Sequence, residues 1–286
     1  MTDDVRQQAI ALYDRFTHTS MERRTFMARM VAIAGSVAAA EALIATIAAD
    51  PAAAAIVPAG DKRLTTRDQT LVGGYKAYVA EPRTRSLKPT VMVIHENRGL
   101  NEHTRDVARR IALGGYRAVA VDFLSPAGGT PANEDRARDM IGKLDLGNSV
   151  ADAVAILDEL AKSSRGGKVG AVGFCWGGGF VNRLAVAAGD KLDAGVVYYG
   201  PAPAPSEAAK VSSPLLIHHA GTDERVAQTL FPWVAALRAA GKKVTYQAYD
   251  GAYHAFNNDT STERYNKEAA ELAWGRTMRF FGRHLG

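Results

Sequence analysis

The chain has 286 residues, a formal net charge of +5 and 47% hydrophobic residues. That length allows one large domain or two small ones, and the composition excludes a disordered chain, a fibrous repeat and a multi-span membrane protein. The basic excess is scattered, with no long basic run and no aromatic-basic stripe, so it describes a solvated surface and gives no sign of a nucleic-acid partner.

Residues 1–56 differ in composition from the rest. Arg23-Arg24 is a twin-arginine pair followed by Thr25, Phe26 and Met27; an Ala-rich, weakly apolar stretch runs from Met30 to Ala40, and Ala52 to Ala55 offer an Ala-x-Ala cleavage site. Together these resemble a bacterial twin-arginine export signal, which implies the translocase as a partner and a periplasmic or secreted protein. Asp3, Asp4 and Asp14 before the arginines, and Glu41 after them, depart from that pattern and make the stretch a poor permanent membrane anchor. The alternative is a helical hairpin packed on the domain of a cytoplasmic protein, with Tyr13, Phe16 and Phe26 as its apolar contacts.

From residue 57 to the end, strand and helix patterns alternate. Asp68 to Ala80, interrupted by Gly73-Gly74, reads as an antiparallel start. Val91 to Ile94 is a continuous apolar run of the kind a strand buried on both faces needs. Thr104 to Leu113 reads as a helix and Arg117 to Phe123 as the next strand. Ser149 with Asp152 reads as a capping box, and Val150, Val154, Leu157 and Ala161 recur at helical spacing. Lys168–Phe174, Ala194–Tyr199, Pro214–His218 and Lys243–Tyr249 read as strands, with a helix after the first of them, running to Ala188, and a last helix over 263–284. Such alternation predicts an α/β fold with a mostly parallel sheet covered on both faces and the site at the carboxyl ends of its strands.

The strongest local signal is Gly173-Phe174-Cys175-Trp176-Gly177-Gly178-Gly179. It follows a predicted strand and opens a predicted helix, as the G-x-S-x-G nucleophile elbow does, with Cys in place of Ser. Glycines two residues either side leave room for neighbouring backbone, and the positive end of the helix favours a thiolate and a developing oxyanion. Cys175 is also the chain's one cysteine, which excludes an intramolecular disulfide and a thiolate-built zinc site. The segment is neither G-x-G-x-x-G nor a phosphate loop. His95-Glu96-Asn97-Arg98-Gly99 begins like H-E-x-x-H but has Gly99 where a second zinc ligand belongs, so no metal or other cofactor is expected.

A cysteine nucleophile is served by a base that a carboxylate orients. In this fold the order is nucleophile, acid, histidine. Asp223 follows the strand 214–218 and His254 follows the strand 243–249, so Cys175, Asp223 and His254 arrive in that order, with Glu224 as the reserve acid. His218 and His219 lie within or beside their own strand and read as structural.

With these residues the sequence resembles the dienelactone hydrolase (carboxymethylenebutenolidase) family of α/β-hydrolases, from about Gly74 to the C-terminus. The resemblance implies Cys175 as nucleophile, His254 as base, Asp223 as its partner and Glu96 as the group that helps activate the thiol. It implies an oxyanion hole from the backbone N–H groups of Asn97 and Trp176. Members of that family hold the substrate carboxylate with two arginines. One follows the strand that ends here at Phe123, where this chain reads Leu124-Ser125-Pro126; the other lies four residues after the histidine, where this chain has Asn258. Neither is present, so the expected substrate is a small ester, lactone or thioester other than dienelactone, with Arg98 as a candidate replacement cation. Two other readings stay open: a cysteine hydrolase acting on amides, and an exported binding protein that keeps the fold without turnover.

Overall fold

The computed structural model describes residues 3–19, 21–48, 55–83 and 89–286. Eight strands form one sheet: β1 (Leu64–Thr70), β2 (Lys76–Pro82), β3 (Thr90–Ile94), β4 (Arg117–Val121), β5 (Val169–Phe174), β6 (Ala194–Tyr198), β7 (Leu215–Ala220) and β8 (Val244–Tyr249). Their order is β1-β2-β4-β3-β5-β6-β7-β8, antiparallel at β1/β2 and β2/β4 and parallel everywhere else.

The continuous apolar runs explain the middle of the sheet: every residue of β3 to β7 is buried. Alternate side chains sort to opposite faces. Val91 and Val93 pack with helices α4 (Glu102–Leu113) and α9 (Lys267–His284). Met92 and Ile94 pack with α6 (Leu146–Ser163), α7 (Trp176–Ala187) and α8 (Glu224–Ala239). Each fully buried Val, Ile or Leu contributes about 1.5–3 kcal/mol on transfer from water. This is the α/β-hydrolase fold, a mostly parallel sheet with helices on both faces.

The capping box expected at Ser149 and Asp152 is not the start of α6. Asp145 caps it, its side chain accepting from the Asn148 N–H, and Ser149 lies inside the helix with its hydroxyl donating to the Asp145 carbonyl at 2.8 Å. Asn266 likewise starts α9 later than residue 263. A short helix not expected from the sequence, α5 (Glu134–Ile141), is capped by Asn133 and buries Ala137 and Ile141.

Residues 3–47 form three helices, α1 (Asp3–His18), α2 (Arg23–Ala34) and α3 (Val37–Ile47). Ile10, Tyr13, Phe16, Phe26, Met30, Leu43 and Ile47 make a small core of their own, with Phe16 stacked on Phe26 at 4.1 Å. Polar bonds tie this layer to the sheet domain. Arg264 Nε and Ser261 Oγ both donate to the Ile47 carbonyl, at 3.0 and 2.7 Å. Arg6 pairs with Glu263 at 2.6 Å, and Arg23 reaches Asp135 at 3.3 Å. Among the described residues no single helix is long and apolar enough to cross a membrane; α2 and α3 reach that composition only together, bent by 104°. Of the expected cleavage stretch, Ala52, Ala53 and Ala54 lie outside the described residues.

Candidate active site

Strand β5 runs into Cys175, whose φ of 54° and ψ of −113° turn the chain sharply into α7. The flanking glycines are required by space. A Cβ on Gly173 would sit 2.1 Å from the Gly177 carbonyl oxygen, and one on Gly177 would sit 2.5 Å from the carbonyl oxygens of Ile94 and His95. The elbow is pinned by the Cys175 N–H donating to the Tyr198 carbonyl at 3.0 Å. Among the described non-glycine residues, positive φ occurs at Cys175, Tyr199 and Ala255. All three border this site, where strain is held by surrounding structure.

Asp223 follows β7 and caps α8. One carboxylate oxygen accepts from the Val226 N–H at 3.1 Å and the other from His254 Nδ1 at 2.5 Å. Burial opposes ionisation of Asp223, but the His254 charge and hydrogen bond outweigh it and hold the carboxyl well below the usual range. For His254, burial works against the imidazolium, yet the Cys175 sulfur and the Asp223 carboxylate raise it to about 10. His254 Nε2 is buried and makes no hydrogen bond. A ring nitrogen of His254 lies within 4.8 Å of Cys175 Sγ. Glu224 stays exposed in the first turn of α8, so the bond to His254 belongs to Asp223.

The loop after β3 brings Glu96, Asn97 and Arg98 to the same place. Glu96 accepts from the Tyr199 hydroxyl at 3.3 Å and from Asn258 Nδ2 at 3.0 Å. Asn258, four residues after His254, therefore serves Glu96. Arg98 pairs with Asp135 at 3.0 Å and donates to the Tyr13 hydroxyl at 3.3 Å, with its side chain 12% exposed, so its charge is already engaged. Trp176 opens α7, where a backbone N–H has no acceptor within its own helix, and its ring stacks on His95 at 5.2 Å. His95 is neutral under burial; its Nδ1 donates to the Glu96 carbonyl and its Nε2 accepts from the Phe123 N–H. His218 bonds Tyr249 and Thr277, and His219 bonds Tyr246, both in structural roles.

One residue at the site was not picked out by the motifs. His18, at the end of α1, places Nε2 3.0 Å from Cys175 Sγ, and its ring meets the His254 ring edge-on at 4.7 Å. Its Nδ1 lies 2.6 Å from the Asp14 carbonyl, one turn earlier. Burial, with the nearby His254 charge next, lowers the His18 pKa well below its ordinary value. The signal present in the sequence was the spacing of Ile10, Tyr13 and Phe16, an apolar stripe that turns the end of α1 inward. Among the described residues, His18, Cys175 and His254 are also the one grouping of His, Cys, Asp or Glu close enough to share a metal ion.

Two spaces meet at Cys175. A cleft of about 690 Å³ runs from Thr17 and His18 past Ile141, Leu144, Trp176 and Pro201, with Lys143 and Arg225 on its walls. That is the size of a small-molecule site. On the other side a narrow cavity of about 20 Å³, enough for one water, is bounded by Glu96, Arg98, His254 and α1. Arg98 lines this narrow cavity, and is not among the residues of the cleft.

Comparison with known proteins decides the family. The sequence profile described as "Dienelactone hydrolase family" matches residues 75–285. The chain belongs to the dienelactone hydrolase family. A protein of Saccharolobus solfataricus named "Putative carboxymethylenebutenolidase" is 33% identical over 246 residues, covering 73% of this chain and 93% of its own length. One of the same name from Methylorubrum extorquens is 30% identical over 280 residues, covering 92% of this chain and 93% of its own length. That span is too long to fit within residues 57–286, so the likeness reaches into the N-terminal helices. The crystal structure of a dienelactone hydrolase from Anabaena variabilis superposes with a TM-score of 0.62 at 19% identity, over 78% of this chain and all of that one, which supports the fold. This dienelactone hydrolase family member is thus a hydrolase of α/β-hydrolase fold.

Proposed function

We propose that the protein hydrolyses an ester, lactone or thioester of a small acid through an acyl-enzyme on Cys175. The observation that carries this reading is the alignment of Asp223, His254 and the elbow cysteine. A 2.5 Å bond fixes His254 Nδ1–H on Asp223, and His254 Nε2 is left unbonded beside the sulfur. The thiolate attacks the acyl carbon, and the N–H groups of Trp176 and Asn97 receive the developing oxyanion. His254 gives its Nε2 proton to the departing alcohol or thiol. A water then attacks the thioester while the now neutral His254 takes its proton, and the narrow cavity beside Glu96 and His254 has room for that water. Asp223 holds the tautomer and the charge throughout.

The apolar wall of the cleft suits a short acyl or alkyl group, and Lys143 and Arg225 supply positive charge at its rim. Arg98, engaged by Asp135 and Tyr13, acts in this reading as a strut for α1 rather than as a carboxylate anchor.

The test is hydrolysis of p-nitrophenyl acetate, p-nitrophenyl butyrate, a neutral lactone and dienelactone by wild type and Cys175→Ala. Turnover of at least one of them by wild type alone supports the reading. Equal rates with the two proteins on every substrate would overturn it.

A further inference from the structure

We infer that His18, delivered to the site by α1, is the base that takes the proton of the Cys175 thiol, leaving His254 to act as the acid toward the leaving group. The inference rests on the acyl-transfer reading above and adds a residue from outside the α/β domain to it.

The geometry is one-directional. The Asp14 carbonyl can only accept, so the nitrogen 2.6 Å from it, Nδ1 of His18, carries the hydrogen. Nε2 of the neutral ring then holds the lone pair, and it faces Cys175 Sγ at 3.0 Å. The thiol is the donor in that contact. His254 stands farther from that proton: its Nε2 makes no hydrogen bond as close as the 3.0 Å contact of His18, and its Nδ1 is held by Asp223.

The charges around His18 agree with this division. It faces Cys175, His254 and Arg225, with the Asp14 carbonyl on its Nδ1 and the Asp223 charge acting more weakly. Burial, the His254 charge and Arg225 favour the neutral ring of His18, while the Asp223 carboxylate, 2.5 Å from Nδ1, favours the protonated ring of His254 whichever form the sulfur takes. Two groups whose surroundings push them in opposite directions fill the roles of base and acid. The end of α1 is held in place by the loop of the oxyanion hole itself: Asn97 Nδ2 donates to the Thr17 carbonyl at 3.0 Å, one residue before His18.

The protons balance over a cycle. The resting site holds Cys175 as thiol, His18 neutral and His254 protonated. The thiol proton passes to His18 Nε2, and the sulfur forms a bond to the acyl carbon. The carbon–oxygen or carbon–sulfur bond to the leaving group breaks, and that group takes the His254 proton. Water then adds to the thioester and gives a proton to His254; the C–S bond breaks and the sulfur recovers its proton from His18. The acid product leaves, and the resting site is restored.

Two readouts test the idea, one of them independent of any substrate. His18→Gln keeps a polar side chain of similar reach that cannot carry the proton. As Cys175 is the single cysteine, iodoacetamide alkylation followed by intact mass reports on it alone. Alkylation near pH 7 is expected to slow severalfold in His18→Gln, and the pre-steady-state acylation rate with p-nitrophenyl acetate to fall roughly 10²-fold. In His18→Ala, added imidazole should restore part of both rates, which a packing role would not permit. Unchanged or faster alkylation in His18→Gln, with no response of His18→Ala to imidazole, overturns the inference even if esters are hydrolysed. Slowed alkylation rescued by imidazole upholds the role of His18 even if no ester in the panel is a substrate, in which case the hydrolytic reading alone fails.

Discussion

Replacing Asp223 by Asn separates the two duties of that residue. Asn keeps the shape and an oxygen to accept the Val226 N–H at 3.1 Å, so the start of α8 survives. What is lost is the charge 2.5 Å from His254 Nδ1. An amide NH₂ turned toward the ring favours the tautomer with hydrogen on Nε2, the wrong one for taking a proton from water. The rate loss expected for a misassigned tautomer is on the order of 10³–10⁴, about 4–5.5 kcal/mol of transition-state stabilisation. The stability consequence has a defined sign. His254 is raised from 6.5 to about 10 in the folded protein. Its protonated form therefore stabilises the fold fully below pH 6.5, and this is lost as pH rises toward 10. At ~1.4 kcal/mol per pH unit the span is worth a few kcal/mol, or very roughly 2–4 °C of Tm for each kcal/mol. In Asp223→Asn, His254 loses one of the two groups that raise it while remaining buried, so this alkaline decline should become shallower, on a Tm that is lower throughout. The assay is steady-state hydrolysis of p-nitrophenyl acetate at pH 7, with Tm measured from pH 6 to pH 10 for both proteins. Activity within about tenfold of wild type, or an alkaline decline of unchanged steepness, would refute the reasoning.

Other perturbations follow from the same contacts. Gly177→Ala places a methyl 2.5 Å from the carbonyl oxygens of Ile94 and His95; relief by shifting α7 should cost about 1–3 kcal/mol of stability, read as Tm, and lower kcat/KM on the order of 10²-fold. Asn258→Leu removes a donor 3.0 Å from Glu96; Tm should fall by the equivalent of about 1–3 kcal/mol in wild type and by clearly less in a Glu96→Gln background, so equal losses in both would deny the coupling. Burial lowers His218 from 6.5 to about 3. Its neutral form then stabilises the fold above pH 6.5, and that contribution is lost as pH falls toward 3; His218→Gln should lower Tm at pH 7 and flatten its decline between pH 6.5 and 4.

The parts legible in the sequence were those set by short-range chemistry. The elbow from Gly173 to Gly178 announces itself because the turn at Cys175 leaves no space for side chains at Gly173 and Gly177. The core strands announce themselves because both faces must be apolar, as at Val91 to Ile94. The order of Asp223 and His254 along the chain was legible because each follows one of two neighbouring strands that the sheet aligns, and the structure brings the two side chains together. The misplaced start of α6 shows the limit of local signals: Ser149 can cap a helix, but Asp145 four residues earlier does so first. His18 was out of reach for a different reason. Its role depends on α1 docking across a distance of 157 residues in sequence from Cys175. That docking is fixed by Arg264, Ser261, Asn97 and Arg98 meeting backbone and side chains of the first 47 residues. Composition there points to an export signal, and nothing local distinguishes that pattern from an apolar stripe with a partner.

The most direct test of the account is intact-mass analysis of the enzyme quenched within milliseconds of mixing with p-nitrophenyl acetate. The account predicts a burst of p-nitrophenolate approaching one per chain and a single acetyl group, mapped by peptide digestion to Cys175 and absent from Cys175→Ala. Turnover by both proteins without any adduct on Cys175 would contradict it.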